Sequence, residues 1–285
     1  MTPEEYAARQ AAISAAVARY VLDFASMFVL PQLTPKQWTM LLALMFPEIE
    51  RRREESASLA RDFYDSQREL FHPDIPRNDR YLEGTQFDVF VKDMEPARKK
   101  MSQADSPEDA LTLFTLRATR AVENAGRRQI INAVSDDPEP GVLKGWARVA
   151  TGRETCAWCL MLISRGPTYM SADTAGLDVD DAKAVRLYQK GDLKTYFEDI
   201  SDHMVEWHPG CDCKAVPVFD SENWFGKAAE DAALELWKDA STEADKLIKS
   251  GEARTTNRNT EAINALRRRL YRGDINPTDY AALAA

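Results

Sequence analysis

Apolar positions recur every three or four residues through most of this chain, the period of an amphipathic helix. Helix starts are equally legible. Thr2-Pro3-Glu4-Glu5, Thr34-Pro35-Lys36-Gln37, Ser106-Pro107-Glu108-Asp109 and Asn276-Pro277-Thr278-Asp279 share one grammar. A capping side chain accepts an orphan N–H, proline takes the first helical position, and an acidic or amide residue follows. This pattern predicts helices over 3–29, 35–45, 47–71 and 107–134, with a shorter helix or two within 85–101. His72-Pro73-Asp74-Ile75-Pro76 and Asp136-Asp137-Pro138-Glu139-Pro140-Gly141 break the chain, and the second break reads as a domain boundary.

Beyond that break the texture changes. Residues 146–150 read as a strand, 156–164 as a short helix stopped by Gly166, and 182–189 and 193–200 as short helices. Residues 214–219 read as an edge strand, because Pro217 cannot donate to a ladder. From Ala228 to Leu247 small residues follow helical spacing up to Gly251, a face that lets a second helix approach closely. Helices over 260–271 and 277–285 complete the chain. The expected fold is mainly α: a helical N-terminal region (1–135), a small α+β central module (142–219) stabilised by a Cys/His metal site, and a helical C-terminal region (226–285).

Composition changes the picture little. The 285 residues are 44% hydrophobic and 29% charged, an ordinary globular balance with a net charge of −9. So acidic a protein does not coat DNA over its whole surface, although a local basic patch remains open. No apolar run reaches membrane-spanning length, and the acidic N-terminus is unlike a signal peptide, so a reducing cytoplasm is the expected site of synthesis. The basic patch, if there is one, is C-terminal: Arg254, Arg258, Arg267, Arg268, Arg269 and Arg272 stand against a lone Glu261. It could meet phosphates or an acidic partner, or simply be a solvated helix face.

The chemistry concentrates elsewhere. All four cysteines lie in two clusters beside one of three histidines. Cys156-Ala157-Trp158-Cys159 is a C-x-x-C pair, and His208-Pro209-Gly210-Cys211-Asp212-Cys213 is H-x-x-C-x-C. Short spacings let neighbouring side chains converge on one ion, and zinc takes four thiolate or imidazole ligands in a tetrahedron. Cys156, Cys159, His208, Cys211 and Cys213 are five candidates for four places, so one of His208, Cys211 and Cys213 stands outside the set. Two disulfides or four buried thiols are the plainer alternatives. Four protein ligands close a zinc site, which makes its role structural, and no H-E-x-x-H, zinc-deaminase, G-x-S-x-G or Walker pattern occurs. Trp158 and Trp207 flank the clusters and would pack over the metal, while His72 is expected in solvent.

Cys-x-x-Cys with an aromatic, a spacer, then His-Pro-x-Cys-x-Cys followed by a short strand resembles the MuF-like domain of phage head morphogenesis (minor capsid) proteins, over about 142–219. The overall layout also resembles minor capsid proteins of actinobacterial tailed phages, often labelled capsid maturation protease. The resemblance implies a virion protein in the head interior near the portal vertex, present in the host cytoplasm during assembly. It would bind portal, scaffold or major capsid protein through its helical arms and would have no membrane partner. Many members carry Cys-Arg-Cys where this chain has Asp212, so no phosphate contact is expected at that position. The leading expectation is a non-enzymatic assembly protein. The alternatives are a capsid maturation protease, using Cys159 or Cys213 with His203 or His208, or a serine at Ser164 or Ser171, and a packaging or ejection protein that contacts DNA through the C-terminal arginines.

Overall fold

The computed structural model describes residues 1–26, 33–75, 84–101, 107–153, 155–167 and 207–283. Its described residues are mainly helical, with a single two-stranded antiparallel ribbon. They cluster into two compact units. The first comprises Met1–Ser66, Asp79–Gln129 and Trp207–Gly210, and the second Gln67–Asn78, Ile130–Glu206 and Cys211–Ala285. The expected helices over 182–189 and 193–200, together with Ser171 and His203, lie outside the described residues.

Helices α1 (Pro3–Ser26) and α3 (Phe87–Met101), with α2 (Pro35–Phe71) up to Ser66 and α4 (Pro107–Ser135) up to Gln129, supply the first unit. Among the described residues, the Thr2 and Thr34 starts form reciprocal capping boxes. The Thr2 amide donates to Glu5 Oε2 at 2.8 Å, while the Glu5 amide donates to Thr2 Oγ1 at 3.2 Å. Thr34 and Gln37 repeat the arrangement at 3.0 and 3.3 Å.

One expectation fails here. The separate helices over 35–45 and 47–71 are a single helix that runs through Pro47. Proline there removes one backbone hydrogen bond, but the buried stripe stays in phase across it: Trp38, Leu42, Met45, Ile49, Arg53, Ser56, Ala60 and Phe63. Burial on both sides of Pro47 outweighs the missing bond. The core of this unit includes Tyr6 stacked on Phe63 at 4.4 Å and Trp38 against Phe114 at 4.9 Å.

At Gly126 α4 lies close against α2. A Cβ at this position would stand 2.7 Å from Ser56 Oγ and 3.1 Å from the Ser56 carbonyl oxygen. Ser56 Oγ already donates to Gln10 Oε1 at 2.8 Å, so it has little freedom to move aside. Alanine is worth about 1 kcal/mol over glycine in a helix, whereas overpacking costs about 1–3 kcal/mol. Gly126→Ala is therefore expected to destabilise the protein despite its better helix propensity. A thermal melt should show a lower Tm, and a higher one would contradict the close packing.

In the second unit β1 (Gly145–Val149) pairs antiparallel with β2 (Lys214–Val218), with Gly145 opposite Val218 and Val149 opposite Lys214. Every residue of both strands is buried, which explains why neither shows a period-two pattern. Pro217 faces Trp146 and sits on a strand with a single partner, where its missing N–H is tolerated. Among the described residues of this unit, three helices accompany the ribbon: α5 (Ala157–Ile163), α6 (Lys227–Ser250) and α7 (Arg258–Arg272). The small face of α6, with Ala229, Ala233, Ala240 and Ala244 buried, admits α7 and α5. Both α6 and α7 end in a left-handed glycine, Gly251 and Gly273.

The expected last helix over 277–285 is only a 3₁₀ turn, Pro277–Tyr280. The chain then extends, so that Ala281 bridges to Ala150 and the Leu283 amide donates to the Ala150 carbonyl at 3.2 Å. His72 is half-buried rather than solvated, its ring 5.9 Å from that of Phe219, which stacks on Phe71. Nearby, Arg68 grips the fully buried carboxylate of Asp137 through Nε at 2.8 Å and Nη2 at 3.0 Å. Removing one partner of a buried ion pair strands the other charge and costs about 3–5 kcal/mol. Arg68→Ala is accordingly expected to lower the urea midpoint sharply, while a change within error would show that the pair is dispensable.

Candidate metal centre

The ribbon register explains how two cysteine clusters far apart in sequence meet. Val149, the last residue of β1, faces Lys214, the first of β2. The chain leaving β1 toward Cys156 and the chain entering β2 from Cys213 therefore share one end of the ribbon. Gly152 turns the first of these arms with φ +86°, and a Cβ there would stand 3.1 Å from Thr278 Cα and from Ala281 Cβ.

Cys156 is the N-cap of α5, its sulfur accepting from the Cys159 amide at 3.4 Å. Cys159 lies on the first turn of that helix and is fully buried. On the other arm Gly210 takes φ +84°, and Cys211 and Cys213 follow, both buried. Cys159 Sγ is 3.6 Å from Cys156 Sγ and 3.4 Å from Cys211 Sγ. The sulfurs of Cys159, Cys211 and Cys213 all lie within 4.8 Å of one another. None of the four cysteines forms a disulfide. Four thiolates at about 2.3 Å from a zinc ion would stand about 3.8 Å apart, so these separations match a metal-binding cluster. Such a group could hold a metal ion.

The electrostatics agree with that donor set. The Cys159 thiol is pushed well above its ordinary range by hydrogen bonding with Cys156, Cys211 and Cys213, and by burial. For Cys213 the contact with Cys159 pulls downward. Cys211, burial and the nearby charge of Asp212 outweigh it and push the thiol up. Crowded thiols in a dry site hold their protons unless a cation replaces them.

Asp212 is a residue that pattern reading passed over. Its carboxylate ties the two arms together. Its buried Oδ2 accepts from the Thr151 amide at 3.2 Å, the Thr151 hydroxyl at 3.0 Å, the Arg153 amide at 3.1 Å and the Thr155 hydroxyl at 3.2 Å. The loop that delivers Cys156 is thus fixed by the residue between the other two cysteines. The available signal was its position in the C-x-C, where a carboxylate beside thiolates needs a reason to be there.

His208 belongs to the Trp207–Gly210 stretch of the first unit, where it is exposed, with Nδ1 3.1 Å from the Pro209 carbonyl oxygen. Trp207, also in the first unit, is buried under the Arg127 guanidinium at 5.0 Å, and its carbonyl accepts from Arg120 at 3.2 Å. Trp158 is half-buried. Ser164 is buried and its hydroxyl donates to the Met161 carbonyl at 2.6 Å.

Among the described residues, four of the six C-terminal arginines have ion-pair partners. Arg258 binds Asp245, Arg268 binds Glu261 and Glu243, Arg269 binds Glu243, and Arg272 binds Asp274. Glu243 and Glu261 illustrate the balance: burial raises each carboxyl, but Arg268 and other donors outweigh it and hold both below the usual carboxylate range. Carboxylates with lowered pKa stabilise the fold above their unfolded value of 4.5 and lose that contribution as pH falls further. The packing of α6 on α7 is therefore expected to weaken on acidification below pH 4.5. Glu243→Gln should flatten that dependence in a pH series of urea midpoints, and an unchanged profile would refute the assignment.

A thiol cluster at the end of a two-stranded ribbon marks a mainly helical protein with a compact Cys-rich module. The chain belongs to the VG15 protein family, whose model matches residues 2–240. It is 58% identical to the Gene 15 protein of Mycobacterium phage D29 over 274 residues, covering 95% of this chain and all of that protein. It is 54% identical to the Gene 15 protein of Mycobacterium phage L5 over 294 residues, covering both chains completely. No solved structure matches. Among the described residues no helix is long and apolar enough to cross a membrane.

Proposed function

We propose that this chain is a minor capsid protein of MuF-like type, acting in phage head assembly, with a single structural zinc ion in its Cys-rich centre. The carrying observation is the convergence of both cysteine clusters on one ribbon end, with a helix after C-x-x-C and a strand after C-x-C. Kinship with the Gene 15 proteins of two mycobacteriophages supports a phage setting.

Cys159, Cys211 and Cys213 form the buried core of the ligand set, and Cys156, 3.6 Å from Cys159, supplies the fourth thiolate. His208 then stands outside it. Zinc supplies no chemistry here beyond cross-linking: the four thiolates close its coordination and leave no open position. The helical regions offer the surfaces for portal, scaffold or major capsid protein. The proposed role is assembly rather than cysteine-dependent proteolysis, because a thiolate held by zinc is a poor free nucleophile. DNA contact through the C-terminal arginines is not part of the proposal, since most of them already face carboxylates.

Two measurements test it. Metal analysis of protein purified under reducing conditions should give about one zinc per chain, retained in His208→Ala; a metal-free wild type overturns the zinc centre. Mass spectrometry of gradient-purified particles should find the chain in the virion, and a phage lacking the gene should yield no DNA-filled heads. Normal heads without it would overturn the assembly role.

A further inference from the structure

The same four sulfurs form a site for two-electron oxidation, an inference that rests on the zinc reading above. Cys159, Cys211 and Cys213 are buried, whereas Cys156 is only half-buried. Cys156 is thus the sulfur that a small oxidant reaches first, and oxidation follows exposure and thiolate character. Its neighbour Cys159 lies one helical turn away, with sulfurs 3.6 Å apart. Forming a bond of about 2.05 Å between them closes a gap within one short segment and draws no distant part of the chain.

We propose that hydrogen peroxide converts Cys156 and Cys159 to a disulfide and so expels the metal ion. The Cys156 thiolate attacks peroxide, the O–O bond breaks, and hydroxide leaves as the sulfur becomes a sulfenic acid. The Cys159 thiolate then attacks that sulfur, the S–S bond forms, and a second hydroxide leaves. Two protons from solvent complete two waters. The two sulfurs have lost two electrons and peroxide has gained them. Thiolates, not disulfide sulfurs, are the metal ligands, so the ion loses two of its four anchors at once. Cys159 is the shared element of the cluster, 3.4 Å from Cys211 on its other side. Its withdrawal therefore removes the sulfur that links the two cysteine clusters, while Asp212 still holds the arms. The cytoplasm keeps thiols reduced, so the centre stays metal-held during synthesis and opens only on exposure to oxidant.

The test uses the whole zinc-loaded protein, treated with peroxide in the presence of a chelating dye. One zinc per chain should reach the dye, the titratable thiols should fall from four to two, and peptide mapping should find Cys156 joined to Cys159. Thiol reductant with added zinc should restore the starting state. Zinc that stays bound with all thiols intact overturns this inference and leaves the zinc reading standing. A disulfide between Cys211 and Cys213, with Cys156 still reduced, overturns the assigned pair. A chain that holds no zinc before oxidant is added overturns the zinc reading, and this inference with it.

Discussion

Asp212→Ala is expected to lower the stability of the protein by about 3 kcal/mol, as much as the loss of a large core side chain. The magnitude follows from what the substitution leaves behind. Two backbone N–H groups, of Thr151 and Arg153, and two threonine hydroxyls lose their acceptor together. A buried donor without a partner costs about 1–3 kcal/mol, and hydrogen bonds to charged groups are the stronger ones. Arg153 is exposed, so water compensates part of its share, which keeps the total below the simple sum. Asp212→Asn retains an acceptor oxygen of the same shape and should cost about 1 kcal/mol. Urea denaturation of the three proteins would measure the series. Equal stability for alanine and wild type would mean that the loop at 151–155 is held by something else. Because that loop ends at Cys156, the alanine variant should also bind zinc more weakly than the asparagine variant.

That prediction rests on a residue that sequence patterns mark poorly, and the reason is physical. Helix starts are local events: Thr2 with Glu5, and Thr34 with Gln37, complete their capping boxes within four residues, so the letters suffice. The cysteine spacing was legible for the same reason, since a C-x-x-C pair is a single turn. Asp212 acts across about sixty residues, and two of its four donors are backbone amides, which no letter encodes. Pro47 misled in the opposite direction. A local rule says that proline interrupts a helix, but the buried stripe on either side decides, and it continues unbroken. The C-terminal arginines show a third case. Their charge was visible, but the carboxylates of Glu243 and Asp245 that face them come from the neighbouring helix α6. The chain's last residues read as helix because Asn276 caps a proline, yet the cap starts only one 3₁₀ turn before Ala281 joins Ala150.

Removing the metal, or one central ligand, is expected to have the largest effect of all. Cys159 stands within 3.6 Å of one sulfur and 3.4 Å of another, on opposite arms, so Cys159→Ser should abolish zinc binding outright. Any ligand that binds only the folded state stabilises it by about 4 kcal/mol at a thousandfold excess over its Kd, and structural zinc commonly gives more. Chelation of the wild type should therefore lower the unfolding midpoint by at least that amount, and should leave Cys159→Ser unchanged because it holds nothing to remove. The pH dependence gives an independent check with a definite sign. In the metal-free protein the Cys159 and Cys213 thiols titrate well above their unfolded value of 9.0. Their contribution to stability is then complete below pH 9.0 and is lost as pH rises above it, because the unfolded chain releases those protons first. In the loaded protein the same sulfurs are already thiolates at neutral pH, and the loss disappears. Urea midpoints should therefore fall with rising pH above 9.0 in the presence of chelator and not in its absence, while below 9.0 the loaded protein alone should gain stability as pH rises, because its ligands have already released protons that the unfolded chain still holds. Parallel curves would mean that no cation replaces the thiol protons, and the cluster would then be four buried thiols rather than a metal centre.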